Sequence, residues 1–442
     1  MIPILYNLLL LLLTPVIAVF LLHRIFISGK SKNSWRQQMG EVTLPDNLKD
    51  KKRIWIHAVS VGESVASAAV VSELKAALTD AAVVVSTTTE TGQEMAHKSV
   101  KDADGFLYYP FDLLPFVARS LARIKPTVFA STDTEIWPNF LYLARKRGVK
   151  TAMINGTVSD KTISGAKKIP WVYRWALGNI DRFCMQSQAD ADRIISMGAD
   201  CARVIVTGNC KADQAVIPMT DQEKDELRSQ YKLVDGAMVF VAGSTNPGED
   251  EPVIDAFLAA RKDFPDLRLI IAPRQIERAQ EIKDIATQKG LGCAFRSQPD
   301  TITGCEEIVV LDTFGELGKV YAIADVSFVG GSLIPRGCHS ILQPISQGKP
   351  VFFGPYTFKA KDLVAQAKAN GVGFEVQNGD ELGKQISKML GDRPLLDDIS
   401  ARCDMMIQAN LGASKRTADA LAALYHEAMG MQEGCIERAE VS

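Results

Sequence analysis

The apolar positions of the chain fall into two alternating rhythms. Short, nearly continuous apolar runs at Ile54–Val59, Ala82–Ser86, Gly105–Tyr109, Thr127–Ser131, Thr151–Asn155, Arg182–Gln186 and Arg203–Thr207 have the character of strands covered on both faces. Between them, Ser64–Leu78, Pro115–Ile124 and Trp137–Arg147 repeat their apolar residues at helical spacing. Strands alternating with helices predict a parallel, doubly wound sheet with right-handed crossovers.

The rhythm breaks over 214–236, which holds Pro218, a charge-rich helix at Asp221–Tyr231 and Gly236; this reads as an interdomain connector. A second strand–helix series follows at Met238–Ala242, Leu267–Ala272, Ile308–Leu311, Val326–Val329 and Val351–Phe353, then a helical stretch, Asp380–Met429, without a strand. The pattern predicts an α/β protein of two Rossmann-like domains facing a cleft. They would cover 29–213 and 237–442, the second with a helical tail. Ligands in such folds bind at the carboxyl ends of the strands.

The amino terminus departs from both rhythms. Met1–Leu22 carries no charge, and Arg24, Lys30, Lys32 and Arg36 precede the first acidic residue, Glu41. About 20 such residues at ~1.5 Å each span the ~30 Å hydrocarbon layer. The expectation is a membrane anchor over 1–28, with the basic flank and both domains on the cytoplasmic side. A cleaved signal peptide fits less well, because no basic segment precedes the apolar run. Pro15 leaves a monotopic insertion open as an alternative.

Composition narrows the function. The chain has 442 residues, 47% hydrophobic and 23% charged, with a formal net charge of -2. That balance argues against a nucleic-acid partner and leaves any anionic ligand to a local basic site. The eight cysteines include no C-x-x-C pair, and no His/Cys group has metal-ligand spacing, so neither metal nor cofactor is expected.

Candidate chemistry gathers at strand ends. Ser60-Val61-Gly62-Glu63 follows the first strand and opens a helix, and Asp133 and Glu135 follow the fourth. Glu63 also suits a helix start on dipole grounds alone, and Asp133 suits a cap for the helix begun by Trp137-Pro138. Yet both sets belong to one rim of one sheet. One carboxylate as base with another to position a hydroxyl is what glycosyl transfer requires. Lys211, after Thr207-Gly208-Asn209-Cys210, is a candidate phosphate contact.

The second series supplies anion-binding parts. Gly243-Ser244-Thr245-Asn246-Pro247-Gly248 leads into a helix beginning at Glu249, and Ala272-Pro273-Arg274 ends the next strand. Gly330-Gly331-Ser332 ends another, followed by Pro335-Arg336-Gly337 and by Cys338-His339-Ser340, which reads as a helix start. Glycine turns feeding helix N-termini present N–H groups to a phosphate, and arginine adds a two-pronged donor. The spacing is not that of a P-loop. His339 fits a phosphate or base contact as well as a structural role.

At these motifs the chain resembles the 3-deoxy-D-manno-octulosonic acid (Kdo) transferases, membrane-anchored inverting glycosyltransferases of the two-domain GT-B fold. The resemblance runs through His57-Ala58-Val59-Ser60-Val61-Gly62-Glu63, Thr134-Glu135-Ile136-Trp137-Pro138-Asn139 and Val206-Thr207-Gly208-Asn209. It continues in Asp312-Thr313 with Gly315-Glu316-Leu317, and in Phe328-Val329-Gly330-Gly331-Ser332-Leu333 with Pro335-Arg336-Gly337 and His339. It implies CMP-Kdo as donor and lipid IVA, the lipid A precursor, as acceptor. It implies Glu63 as general base, Glu135 on the acceptor side, and CMP held by Ser244, Thr245, Arg274, the Gly330–Ser332 loop and the His339–Ser340 segment. Gln343 stands where the family has a glutamate toward the ribose, and Asn246 where it has a histidine. These departures leave open a different nucleotide-sugar donor, a nucleotide-sugar epimerase on a similar scaffold, or a membrane-tethered protein that has lost donor affinity.

Overall fold

The computed structural model describes residues 2–22, 34–59, 61–215 and 219–430. Its chain forms two compact units, Met1–Gln214 with Asn410–Ser442, and Ala215–Ala409.

The first unit holds seven strands: β1 (Lys52–His57), β2 (Ala81–Thr87), β3 (Gly105–Tyr108), β4 (Val128–Thr132), β5 (Lys150–Gly156), β6 (Arg182–Met185) and β7 (Val204–Val206). They form one parallel sheet in the order β3-β2-β1-β4-β5-β6-β7. Every residue of β2 is buried, its apolar run Ala81–Val85 and the Ser86 and Thr87 that follow it alike. Alternation along β1 divides the core. Trp55 faces an aromatic cluster with Phe129 and Phe140, at ring distances of 5.5 and 5.1 Å. Ile54 and Ile56 face Val70, Val71 and Leu74 of the helix Val61–Ala77. His57 is fully buried and stacked on Tyr109, a structural placement as its position inside a strand implies.

The second unit holds β8 (Val239–Thr245), β9 (Arg268–Pro273), β10 (Cys293–Phe295), β11 (Ile308–Val310), β12 (Val326–Val329), β13 (Val351–Phe353) and β14 (Gly373–Glu375). These are parallel in the order β10-β11-β9-β8-β12-β13-β14. The two strands absent from the sequence reading, β10 and β14, are the sheet's edges; each is only partly buried and lacks the apolar run of β-branched or aromatic residues that marks the equally short but fully buried β11 and β13.

Two expected boundaries change. The segment read as a connector over 214–236 contributes Leu227 and Tyr231 to the core around Val239, Val241 and Ile270, so the helix Asp221–Gln230 belongs to the second unit. Its residues 216–218, including Pro218, lie outside the described residues. The helix Ala413–Ala428, expected within 237–442, instead completes the first unit. Its Ala418, Leu421, Leu424 and Tyr425 join the cluster of Val70 and Leu74, filling a sheet face that the first unit's own helices leave open.

The anchor expected over 1–28 also changes. Ile2–Leu22 is helical, but among the described residues no helix is long and apolar enough to cross a membrane, and 23–33 lie outside them. The early turns dock on the first unit. Asn7 and Asn139 exchange amide hydrogen bonds of 2.8 and 3.0 Å, and Tyr6 lies 5.6 Å from the Trp175 ring.

Candidate active site

In the first sheet the strand order reverses between β1 and β4, which pair directly. A crevice opens outside the strand ends at such a reversal, because the two following connections leave in opposite directions. Glu63 follows β1, and Asp133 and Glu135 follow β4, so the topology brings all three sequence-predicted carboxylates to this point.

Glu63 lies in the first turn of the helix Val61–Ala77 and is 7% exposed. Its Oε2 accepts the Val59 N–H at 2.7 Å and lies 2.9 Å from Thr132 Oγ1. The same hydroxyl is 2.8 Å from the His57 carbonyl oxygen. Ser60, which precedes this helix, lies outside the described residues. Asp133 takes a left-handed conformation (φ 52°), and its Oδ1 accepts the Asn155 amide at 3.0 Å. Burial, with the Glu63 charge adding to it, pushes the Asp133 carboxyl up to about 6 against the pull of Lys211. Lys211 is thus a counter-charge to Asp133 in the first unit rather than a demonstrated phosphate contact.

Glu135 goes further. Burial first, then repulsion from Glu63 and Asp133, raises it to about 7, with the Trp137 indole pulling the other way. Asp133 and Glu135 therefore hold protons more tightly than free carboxylates do.

The cap of the helix Pro138–Lys146 is not Asp133. Asp112 accepts the N–H groups of Asn139 and Phe140 at 3.1 and 2.8 Å. Sequence reasoning missed Asp112 because it reaches the helix from a separate loop.

In the second unit the order reverses between β8 and β12. Ser244 and Thr245 end β8, and Gly330, Gly331 and Ser332 follow β12. Ser244 is left-handed (φ 57°), and the fully buried Thr245 hydroxyl has no hydrogen-bond partner among the described residues. The glycine loop is not an open phosphate cradle. The Gly330 N–H donates to Gly243, and the carboxylate of buried Glu249 accepts from Gly331, Ser332, Leu333 and Asn246 at 2.6 to 3.0 Å. A carboxylate built into the fold takes the donors that a phosphate would use.

Positive charge in this unit gathers instead on side chains around His339. Arg274, Lys359 and Arg336 all bear electrostatically on His339. Burial first and then these three charges lower the imidazole to about 4, so it is neutral at physiological pH. Asn246 Nδ2 donates to the Ser244 carbonyl at 3.1 Å and meets His339 Nε2 at 3.2 Å. The amide is a donor there, so the ring proton resides on Nδ1. None of the three cations pairs with a carboxylate among the described residues, which leaves their charge for a ligand. Lys359 was not singled out from the sequence; a lysine on a loop carries no local signal. Cys338-His339-Ser340 does not open a helix, since the next helix is Leu342–Ser346, with Gln343 half-buried in its first turn. Ser340 is exposed.

Comparison with known proteins matches this architecture. A family model described as 3-deoxy-D-manno-octulosonic-acid transferase (kdotransferase) covers residues 33–214. The 3-deoxy-D-manno-octulosonic acid transferase of Bordetella pertussis is 30% identical over 377 residues, 83% of this chain and 86% of that protein. A bifunctional glycosyltransferase/methyltransferase of Fusobacterium nucleatum is 32% identical over 384 residues, 86% of this chain. The match spans only 59% of that longer protein. Among solved structures, the UDP-GlcNAc 2-epimerase of Neisseria meningitidis aligns with a TM-score of 0.57 at 13% identity, over 84% of this chain and all of that one. That likeness concerns the fold. Two seven-stranded parallel-sheet units are the make-up of a GT-B protein. The chain belongs to the Kdo transferase family and is a glycosyltransferase.

Proposed function

We propose that this protein transfers Kdo from CMP-Kdo to lipid IVA, with inversion at the anomeric carbon, on the cytoplasmic face of the inner membrane. The observation that carries the reading is the buried Glu63 carboxylate, braced by the Val59 N–H and the Thr132 hydroxyl beside two acids of raised proton affinity. In this reading Glu63 takes the proton of an acceptor hydroxyl. The oxygen forms its bond to the anomeric carbon from one face while the bond to the CMP phosphate oxygen breaks on the other. CMP departs as an anion, and Arg274, Arg336 and Lys359 are the unpaired charges available to stabilise it, with Thr245 and Gln343 as hydroxyl and amide contacts. The exposed aliphatic side chains of the amino-terminal helix, Ile4, Leu8 and Leu12 among them, support residence at a lipid surface.

The test is to incubate the purified protein with CMP-Kdo and lipid IVA and weigh the lipid product. Glu63→Gln should lose at least about a hundredfold in kcat and still bind CMP by calorimetry. Unchanged turnover by that variant would end the assignment of the base. Conversion of a nucleotide sugar without any lipid would favour an epimerase.

A further inference from the structure

Beside Glu135 the first unit contains a cavity of about 310 Å³. Its wall is mixed: Thr134, Glu135 and Thr162 are its polar residues, set among apolar ones that include Ile136, Ile169 and Val172. Tyr6, from the amino-terminal helix, also lines it, so that helix is part of the site's wall. The helix turns Tyr6 and Asn7 toward the unit and leaves Ile4, Leu8 and Leu12 at 74, 54 and 72% exposure. Ile169, in the cavity wall, is itself 44% exposed. The cavity thus combines a carboxyl with apolar wall residues, and Tyr6 ties it to a helix whose exposed side chains are aliphatic over these turns.

We propose that this cavity seats an alkyl chain of the acceptor, and that burial of the chain presents the neighbouring hydroxyl to Glu135. The inference rests on the acceptor-side reading of Glu135 given above and adds what selects the acceptor. A bare saccharide would leave the accessible apolar surface of Ile169 and Tyr173 against water. A hydroxyl-bearing amphiphile satisfies both kinds of wall residue, since the hydroxyl meets the carboxyl and the chain meets the apolar ones. The volume is at the small end for ligand sites, roughly 300–1,000 Å³, so it takes part of a chain and not a whole lipid. Each methylene buried should tighten binding about fourfold until the cavity is full.

The experiment measures KM for a series of acceptors that differ only in the length of one short acyl chain, below micelle-forming concentration. KM should fall steeply with the first added carbons and then level off. Thr162→Trp, at a half-buried position in the cavity wall, should flatten that dependence while leaving KM for CMP-Kdo and kcat on the shortest acceptor unchanged. Ile169→Asp, at an exposed wall position, is the second variant and should do the same. A chain-length dependence that is absent, or equally steep in both variants, would overturn the proposal. Binding is read separately from transfer through quenching of tryptophan fluorescence by a short brominated fatty acid. The quench should be lost in Trp137→Phe, since Trp137 lines the cavity. A quench that is missing, or unaffected by that change, also overturns the proposal. Quenching through Trp137 without transfer to any acceptor would leave the cavity's role standing and bring down the proposed reaction instead.

Discussion

The Thr132 hydroxyl lies 2.9 Å from the Glu63 carboxylate and 2.8 Å from the His57 carbonyl oxygen. One hydroxyl proton cannot serve both acceptors fully. With Glu63 ionised, the proton can turn to the carboxylate. With Glu63 protonated, Thr132 can accept from it and donate to His57. Thr132, the last residue of β4, can therefore hold the Glu63 carboxyl in either protonation state, which is a positioning role in the proposed reaction.

Thr132→Val removes this switch. A donor to a carboxylate favours its ionised form, so the acid limb of the pH–kcat profile should move to higher pH and kcat should fall about tenfold, the equivalent of ~1.4 kcal/mol. Thr132→Ser should restore both. A pH–rate profile of the two variants decides it, and a Val variant with lower kcat but an unmoved profile would reduce Thr132 to a packing residue.

Glu135 makes stability depend on pH. Its folded value of about 7 exceeds the ordinary 4.5, chiefly through burial and then the Glu63 charge. For an acid raised on folding, the stabilisation is complete below about pH 4.5 and is lost as pH rises through about 7. Glu135→Gln should therefore be neutral near pH 4.5 and stabilising at pH 8. The gain should not exceed about 2 kcal/mol, since Glu135 is only half-buried and water screens its neighbours' charges. Thermal midpoints of both proteins across that range check the sign, and equal midpoints at pH 8 would contradict it.

The proposed anion site should respond unequally to loss of its cations. Arg274→Ala is expected to raise the donor KM about ten- to a hundredfold, as for a hydrogen bond to a charged group. Lys359→Ala removes a point charge and should cost less, about three- to tenfold, with an effect that shrinks as salt is added. Calorimetry with CMP at two ionic strengths measures both, and unchanged affinity in Arg274→Ala would move the phosphate elsewhere.

Glu249 is expected to matter to the fold and not to the chemistry directly. Glu249→Ala leaves the Asn246, Gly331, Ser332 and Leu333 N–H groups without their acceptor, a loss of about 3 kcal/mol or more. Amide exchange at Gly331–Leu333 should accelerate and the melting midpoint should fall. Protection at those amides equal to that of the native protein would disprove the clasp.

Most of the fold was legible because buried parallel strands write themselves as unbroken apolar runs. β2 and β12 are covered on both faces, and their sequences could belong to little else. β10 and β14 are partly exposed edges, so they lack the apolar run of β-branched or aromatic residues that made the equally short β11 and β13 legible. The carboxylates Glu63, Asp133 and Glu135 were legible because they follow strands. What was not legible depends on partners distant along the chain. Asp112 caps a helix 27 residues away, and Glu249 reaches a loop 82 residues away. The loop glycines signalled a phosphate cradle correctly by rule, yet the competing carboxylate sits in a helix start that looked ordinary. The amino-terminal helix was legible as apolar, but its amide pairing with Asn139 could not be read from hydropathy.

The helix Ala413–Ala428 has a consequence for the order in which the molecule can be made. The chain leaves its first unit after residue 214 and returns to it only at residue 410. A ribosome therefore finishes the whole second unit before it delivers the segment that covers Val70 and Leu74 in the first. Until then Val70 and Leu74 lack part of their packing, so completion of the first unit's core waits on synthesis of the second unit.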